Sequence, residues 1–353
     1  MSKFYYGGQA VLEGVMMRGQ RHMAVAVRAP DGRIVVHEEA LKGALYRHPA
    51  MKLPFLRGFV ALWDALGLGM KSLMFSANVA LEEEASVKKA EGNEQKAPGS
   101  GQTAGDVYID VDVTQEADSN AVNPHSALRT PHSEMGRAAW ASIAIALVFM
   151  VGIFFVLPVL AANVITSVAS TDSSLTHNLI EGAIRLALFI GYIWAIGFMP
   201  DIKRVFGYHG AEHKTINAYE AGAPLVPERV QSFTLLNPRC GTTFLLIVLL
   251  LATLLFVLLG KPPFILLVLS RIVLVPVVAA IGYEFIRLMA NLYHVPIVRA
   301  IMAPGIALQK MTTRPPDLSM IEVGIAALQR VLVADGVVAR EREEIEEPVP
   351  TLA

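Results

Sequence analysis

The chain has a single cysteine, Cys240, among 353 residues. One thiol excludes an intramolecular disulfide, so nothing speaks for an oxidising compartment. Charge is scarce too: 17% of residues are charged and 54% are hydrophobic. With a mean hydropathy of +0.47, that balance excludes an ordinary soluble enzyme. The net charge of -1 singles out no partner, and no nucleic-acid partner is expected. The opening MSKFYYGGQA lacks the apolar region of a cleavable signal peptide, so targeting is expected to come from internal segments.

Apolar runs of membrane length are plentiful. Four segments match a hydrocarbon core of about 30 Å at about 1.5 Å rise per residue: Ala138 to Ile165, Ile180 to Met199, Thr242 to Gly260 and Phe264 to Leu288. Lys203, Arg204, Lys214, Arg229 and Arg239 lie between the second and third, and Arg299, Lys310 and Arg314 follow the fourth. Thr166 to His177 carries no Lys or Arg. The positive-inside rule therefore predicts a multi-pass cell-membrane protein with both termini and the central loop in the cytoplasm. Leu53 to Ala80 is also apolar, but Arg57, Asp64 and Lys71 recur every seven residues and form one narrow polar stripe on a helix. It reads as an interfacial or re-entrant helix rather than a fifth span.

The fold class expected is an α-helical integral membrane protein of about four transmembrane helices with a small amino-terminal β-rich cytoplasmic unit. Residues 1–50 form that unit, with a hairpin turn at Pro30, Asp31 and Gly32. It is too small to hold its own core and should pack on its neighbours. Residues 51–81 hold the interfacial helix and 82–134 a disordered polar linker. The transmembrane core runs over 135–290, with its cytoplasmic loop at 200–242. Residues 291–340 contain a membrane-surface element broken at Pro304 and Gly305, then an amphipathic helix from Leu318 to Ala334 with Ile321, Ile325, Leu328 and Leu332 on one face. An acidic tail fills 341–353.

The cytoplasmic loop contains YHGAEHKTINAYE, Tyr208 to Glu220. On a helix, His209 and His213 stand one turn apart, and Asn217 and Glu220 continue the stripe. His209, Glu212 and His213 spell H-x-x-E-H, the order of inverted zincins, in which two histidines hold Zn²⁺ and the glutamate is general base to a water. The plainer alternative is a pair of histidines contacting lipid phosphates at a basic membrane surface. Two histidines need a further ligand. Glu284, near the cytoplasmic end of the last span, and Glu220 are the carboxylate candidates, with His294 and Glu13 behind them. Glu284 has a second reading as an ion pair, with Arg287 or a loop arginine as partner. The metal expected is Zn²⁺, which suits the N/O ligand set best, with Mn²⁺ or Fe²⁺ if two carboxylates join. Cys240 in NPRCGTTF has a thiolate-ligand or nucleophile reading, but a small packing residue is the commoner role there and the one adopted. Glu181 and Arg185, one turn apart, form a structural ion pair, with Arg271 facing the same question. GGQ at Gly7 to Gln9 is set aside as three residues without supporting context.

GGQAVLEGVMMRG, YHGAEHKTINAYE, NPRCGTTF and MAPGIALQKMTTRPPD together resemble the YqhQ-like bacterial membrane proteins, a domain of unknown function. The resemblance covers nearly all of the chain except the polar linker and acidic tail. It implies a membrane protein of Gram-positive and related bacteria, of a family sometimes described as predicted metal-dependent enzymes. Two function classes follow. One is a metal-dependent hydrolase acting at the cytoplasmic membrane interface on a lipid, peptide or lipid-linked substrate, with Glu212 as base. The other is a non-enzymatic transporter or scaffold with a cytoplasmic partner-binding surface.

Overall fold

The computed structural model describes residues 5–41, 53–93, 137–260 and 262–337. Four strands come first: β1 (Gly7–Val11), β2 (Gly14–Arg18), β3 (His22–Arg28) and β4 (Ile34–Ala40), an antiparallel meander in the order β1-β2-β3-β4. The β3–β4 hairpin turns where Pro30, Asp31 and Gly32 predict it. Gly32 has a φ of 92°, and the Arg33 N–H donates to Asp31 Oδ1 at 2.9 Å. The helices follow as α1 (Leu56–Asn93), α2 (Arg137–Val151), α3 (Leu157–Val168), α4 (Ser174–Ile196), α5 (Pro200–Glu220), α6 (Pro227–Gln231), α7 (Gly241–Leu259), α8 (Phe264–Asn291), α9 (Pro296–Thr312) and α10 (Leu318–Ala334). A π-helical turn at Gly152–Val156 joins α2 to α3.

Five helices are long and apolar enough to cross a membrane, where the sequence counted four. The fifth is Leu56–Leu81 within α1, the least apolar of the set. The re-entrant form expected for this segment is absent, because α1 is one unbroken helix of 38 residues. It also continues through Asn93, so the polar linker expected from residue 82 begins no earlier than 94. The remainder of that linker, the expected unit's last residues and the acidic tail lie outside the described residues. Pro304 and Gly305 do not break α9, which runs through both.

The chain divides into two compact units. The first contains the sheet, α5, α6, α9, α10 and the facing parts of α1, α7 and α8. Strand alternation explains why its apolar strands are continuous rather than half polar. Val15, Met17, Ala24 and Ala26 point to one face and join Tyr208, Ala211, Ile321, Ile325, Leu328 and Leu332 of α5 and α10 in the main core. Met16, Met23, Val25 and Val27 point to the other and meet Leu68 of α1. Both faces are covered, as expected for a sheet too small to stand alone. The polar stripe of α1 faces protein: Arg57 pairs with Glu284, Asp64 with Arg18 at 2.8 Å, and Lys71 with Glu39 at 2.6 Å. Over Leu56–Leu81 the large side chains that α1 exposes besides Lys71 are apolar, with Trp63 69% and Leu66 63% exposed.

The second unit holds residues from α2 through most of α4, together with the end of α7 and the start of α8. At its centre Glu181 carries two arginines. Arg185 donates to Oε1, and Arg271 donates from Nε to Oε1 at 3.0 Å and from Nη2 to Oε2 at 2.9 Å. Asn178 Oδ1 accepts from Arg271 at 2.6 Å, and Phe256 lies 4.1 Å from the Arg271 guanidinium carbon. The pair read from the sequence is thus a triad, buried throughout.

Candidate metal centre

Helix α5 starts behind Pro200 and is crowded at its centre, where Tyr208 to Ile216 is buried except for the half-buried His209. The connection from α9 to α10 crosses it so closely that a Cβ on Gly210 would lie 2.1 Å from the Arg314 carbonyl oxygen. Only glycine permits that approach, which lets the C-terminus of α9 reach His209.

Three polar side chains of α5 organise the loop that follows α6. Lys214 donates to the carbonyls of Gln231 and Phe233, and Asn217 to those of Thr234 at 2.9 Å and Leu236 at 3.2 Å. His213 Nδ1 meets the Leu235 carbonyl. Gln309 of α9, fully buried, clamps the next residues through Asn237: its Nε2 donates to the Asn237 carbonyl at 2.7 Å and its Oε1 accepts from the Asn237 N–H at 3.0 Å. The loop thereby delivers Cys240, at the start of α7, to the histidines. Cys240 Sγ lies 3.3 Å from His209 Nε2, and the two imidazole rings are 4.5 Å apart.

The result is a cluster of His209, His213 and Cys240 whose ligand atoms all lie within 4.8 Å of one another. Zinc bonds of about 2.0–2.3 Å in a tetrahedron put neighbouring ligand atoms about 3.3–3.8 Å apart, so small side-chain rotations suffice to close this set on one ion. The hydrogen bonds settle the tautomers. A carbonyl can only accept, so Nδ1 of His209, 2.8 Å from the Thr312 carbonyl, and Nδ1 of His213 both carry hydrogen. With Nδ1 as the donor, the lone pair that each ring can offer a metal is that of Nε2. That of His213 is buried with no hydrogen-bond partner. Backbone carbonyls on the far nitrogen are a common way of orienting metal-ligating histidines.

The carboxylates expected to complete the site are elsewhere. Glu284 is held by Arg57, with Nε 2.6 Å from Oε1, and also accepts from the Phe55 N–H. This is the ion-pair alternative, but its partner is α1, far away in sequence, rather than Arg287. Glu220 pairs with Arg239, the residue immediately before the cysteine. Glu13 is held by Arg204 and by the Tyr208 hydroxyl, and His294 is outside the cluster. Glu212 also lies outside the three-atom set. It is buried against β1, where its carboxylate takes the Gly8 N–H and forms no salt bridge among the described residues. Burial holds its carboxyl above the usual carboxylate range, while His209 and the Gly8 N–H pull the other way. A Cβ on Gly8 would lie 2.5 Å from the Met16 carbonyl and 3.0 Å from Glu212 Cγ, so GGQ earns its glycine by admitting this side chain.

The family described as "Protein of unknown function (DUF1385)" matches residues 53–334. The chain belongs to that family. A protein described as "Uncharacterized protein YqhQ", from Bacillus subtilis (strain 168), is 31% identical over 327 residues, 93% of this chain and 92% of the other. No solved structure matches. The DUF1385 match encloses α1 to α10 and with them every residue of the cluster, whereas Gly8, which seats Glu212, precedes it. The match to YqhQ covers most of both sequences, so the likeness is not confined to one segment.

If Glu284 is a structural partner of Arg57, Glu284→Gln leaves metal content unchanged and lowers stability by about 1 kcal/mol, the pair being partly exposed. Metal analysis and thermal unfolding on one sample check this. Loss of metal would restore Glu284 to the site.

Proposed function

We propose that this protein is a membrane-embedded, zinc-dependent enzyme, a hydrolase acting at the cytoplasmic membrane surface through His209, His213 and Cys240. The observation that carries the reading is the convergence of three ligand atoms with both Nδ1–H groups already committed to carbonyls. Three protein ligands leave one position of a tetrahedron open, as catalytic rather than structural zinc sites do. The thiolate, in place of a carboxylate, favours Zn²⁺ and argues against Mn²⁺. Held by these three residues, a zinc ion would supply Lewis acidity and would lower the pKa of a water. Glu212, beside His213 in sequence and seated by Gly8, is the group assigned to take and return the proton. Zinc K-edge absorption of the purified protein tests the ligand set: two nitrogen ligands and one sulfur support it, and a sulfur-free first shell sinks it.

A count of the apolar helices supports a membrane placement. The sheet and α5 pack in one core, so the chain between them must cross a bilayer an even number of times. Three of the five candidate helices lie between them. One therefore does not cross, and α1 is that one, because its middle turns pack on the sheet through Leu68, Asp64 and Lys71. Its exposed Phe59, Trp63, Leu66 and Met70 then lie in the lipid interface. The other four expose large apolar side chains that suit hydrocarbon, among them Val148 at 72% and Ile265 at 78%. Loop charges put the cluster on the cytoplasmic side. A membrane-impermeant thiol reagent on intact cells should label Ser173→Cys and spare Ser232→Cys, Cys240 itself being buried. Outside labelling at position 232 would refute this orientation.

A further inference from the structure

The loop from Phe233 to Leu236 and the connection from α9 to α10 line an open pocket of about 490 Å³ in the first unit. Its lining includes Leu235, whose carbonyl orients His213, and three cationic side chains: Lys214, Lys310 and Arg314. It includes no carboxylate. Lys214 is 8% exposed, and its ammonium is met only by the carbonyls of Gln231 and Phe233, which leaves one of its three N–H donors. Arg314 uses Nη1 on the carbonyls of Lys310 and Thr313. Among the described residues none of the three has an acidic partner. A buried charge such as that of Lys214 is normally paired, and three cations lining one pocket, the exposed Lys310 among them, repel one another unless an anion sits between them.

We propose that this pocket binds a phosphate group, carried by an acidic lipid headgroup or by a small soluble phosphate. The fork of a guanidinium with two ammonium groups suits a tetrahedral oxyanion better than a lone carboxylate. Helix α9, which carries Lys310, also exposes Ile297 at 68% and Ile301 at 53%, so the helix bearing one of the cations has the apolar surface of a lipid-interface element. The pocket stands independently of the metal cluster. Its extension, that the phosphate-bearing end of the hydrolase's substrate rests here beside His213, depends on the proposed function.

The test titrates the full chain in detergent, with chelator throughout, against dihexanoylphosphatidylglycerol and, separately, inorganic phosphate, by calorimetry. One site per chain is expected in at least one titration. Binding of the lipid alone assigns the headgroup, and binding of phosphate alone assigns a soluble ligand; either supports the pocket. Lys310→Glu should weaken binding at least about tenfold and Lys310→Gln by less, Lys310 being exposed and its substitution compatible with folding. Arg299→Gln, on the same helix but outside the lining, should leave binding unchanged. No binding by wild type in either titration, or equal loss in Arg299→Gln and Lys310→Glu, overturns the proposal. Because the chelator strips any metal beforehand, failure here leaves the zinc reading untouched, and failure of the zinc reading leaves this one untouched.

Discussion

Purified without chelator from cells supplied with zinc, the wild-type chain is expected to carry one zinc ion per polypeptide. His213→Ala and Cys240→Ser should each lower zinc affinity by more than about 100-fold, since removing a ligand does more harm than the roughly 10–100-fold typical of losing a residue that only orients one. The serine hydroxyl is a fair replacement in volume but a poor zinc ligand, so Cys240→Ser separates ligation from packing, which is the alternative role for this buried thiol. Glu212→Gln should behave oppositely, retaining zinc and losing turnover, because the carboxylate lies outside the cluster. Circular dichroism and thermal unfolding must accompany each variant, since His213 also anchors the loop carbonyl of Leu235. Elemental analysis decides the matter without knowledge of a substrate. Less than a stoichiometric ion in zinc-supplied wild type, or full zinc in His213→Ala, would turn these residues into loop anchors and favour the scaffold reading.

Glu181→Gln is expected to be the most damaging single substitution in the second unit. The carboxylate is 0% exposed and answers both Arg185 and Arg271, themselves 4% and 0% exposed. Removing one partner of a buried ion pair costs about 3–5 kcal/mol, because the remaining charge stays buried without compensation, and here two guanidiniums would remain. Resistance to denaturant and yield of folded protein should both fall sharply. Replacing Arg185 alone, by Met, should do less harm, because Arg271 still answers Glu181 through two hydrogen bonds. A Glu181→Gln protein as stable as wild type would mean that the triad is hydrated and carries little of the unit's stability.

Periodicity made much of the architecture legible. A run of 20 or so apolar residues has few physical outcomes, and four such runs appear as four long helices. The apolar face of Leu318 to Ala334 is buried at the four positions that 3.6-residue spacing picks out, Ile321, Ile325, Leu328 and Leu332. The Pro-Asp-Gly turn is local chemistry and needs no tertiary partner. His209 and His213 share a face for the same local reason, so half of the candidate site could be read from one helical turn.

The rest depended on residues distant in sequence. Cys240 stands 27 positions beyond His213, and only the clamp of Gln309 on Asn237, a contact 72 residues apart, brings it to the histidines. The carbonyls of Leu235 and Thr312 that fix the two imidazole tautomers are backbone groups, which leave no mark in a residue pattern. Charge alone could not say that Glu284 faces Arg57 across 227 residues rather than the nearby Arg287, since an ionisable group in an apolar helix takes whichever partner the packing offers. Likewise the seven-residue stripe of α1 showed a polar side but not what it faced. The sequence by itself determined the helices, the hairpin and the histidine pair, which are set within a few turns of chain. Tertiary structure alone decided the third member of the cluster, the partner of each carboxylate and the face of α1 that stays exposed, because those are choices between distant groups made by packing.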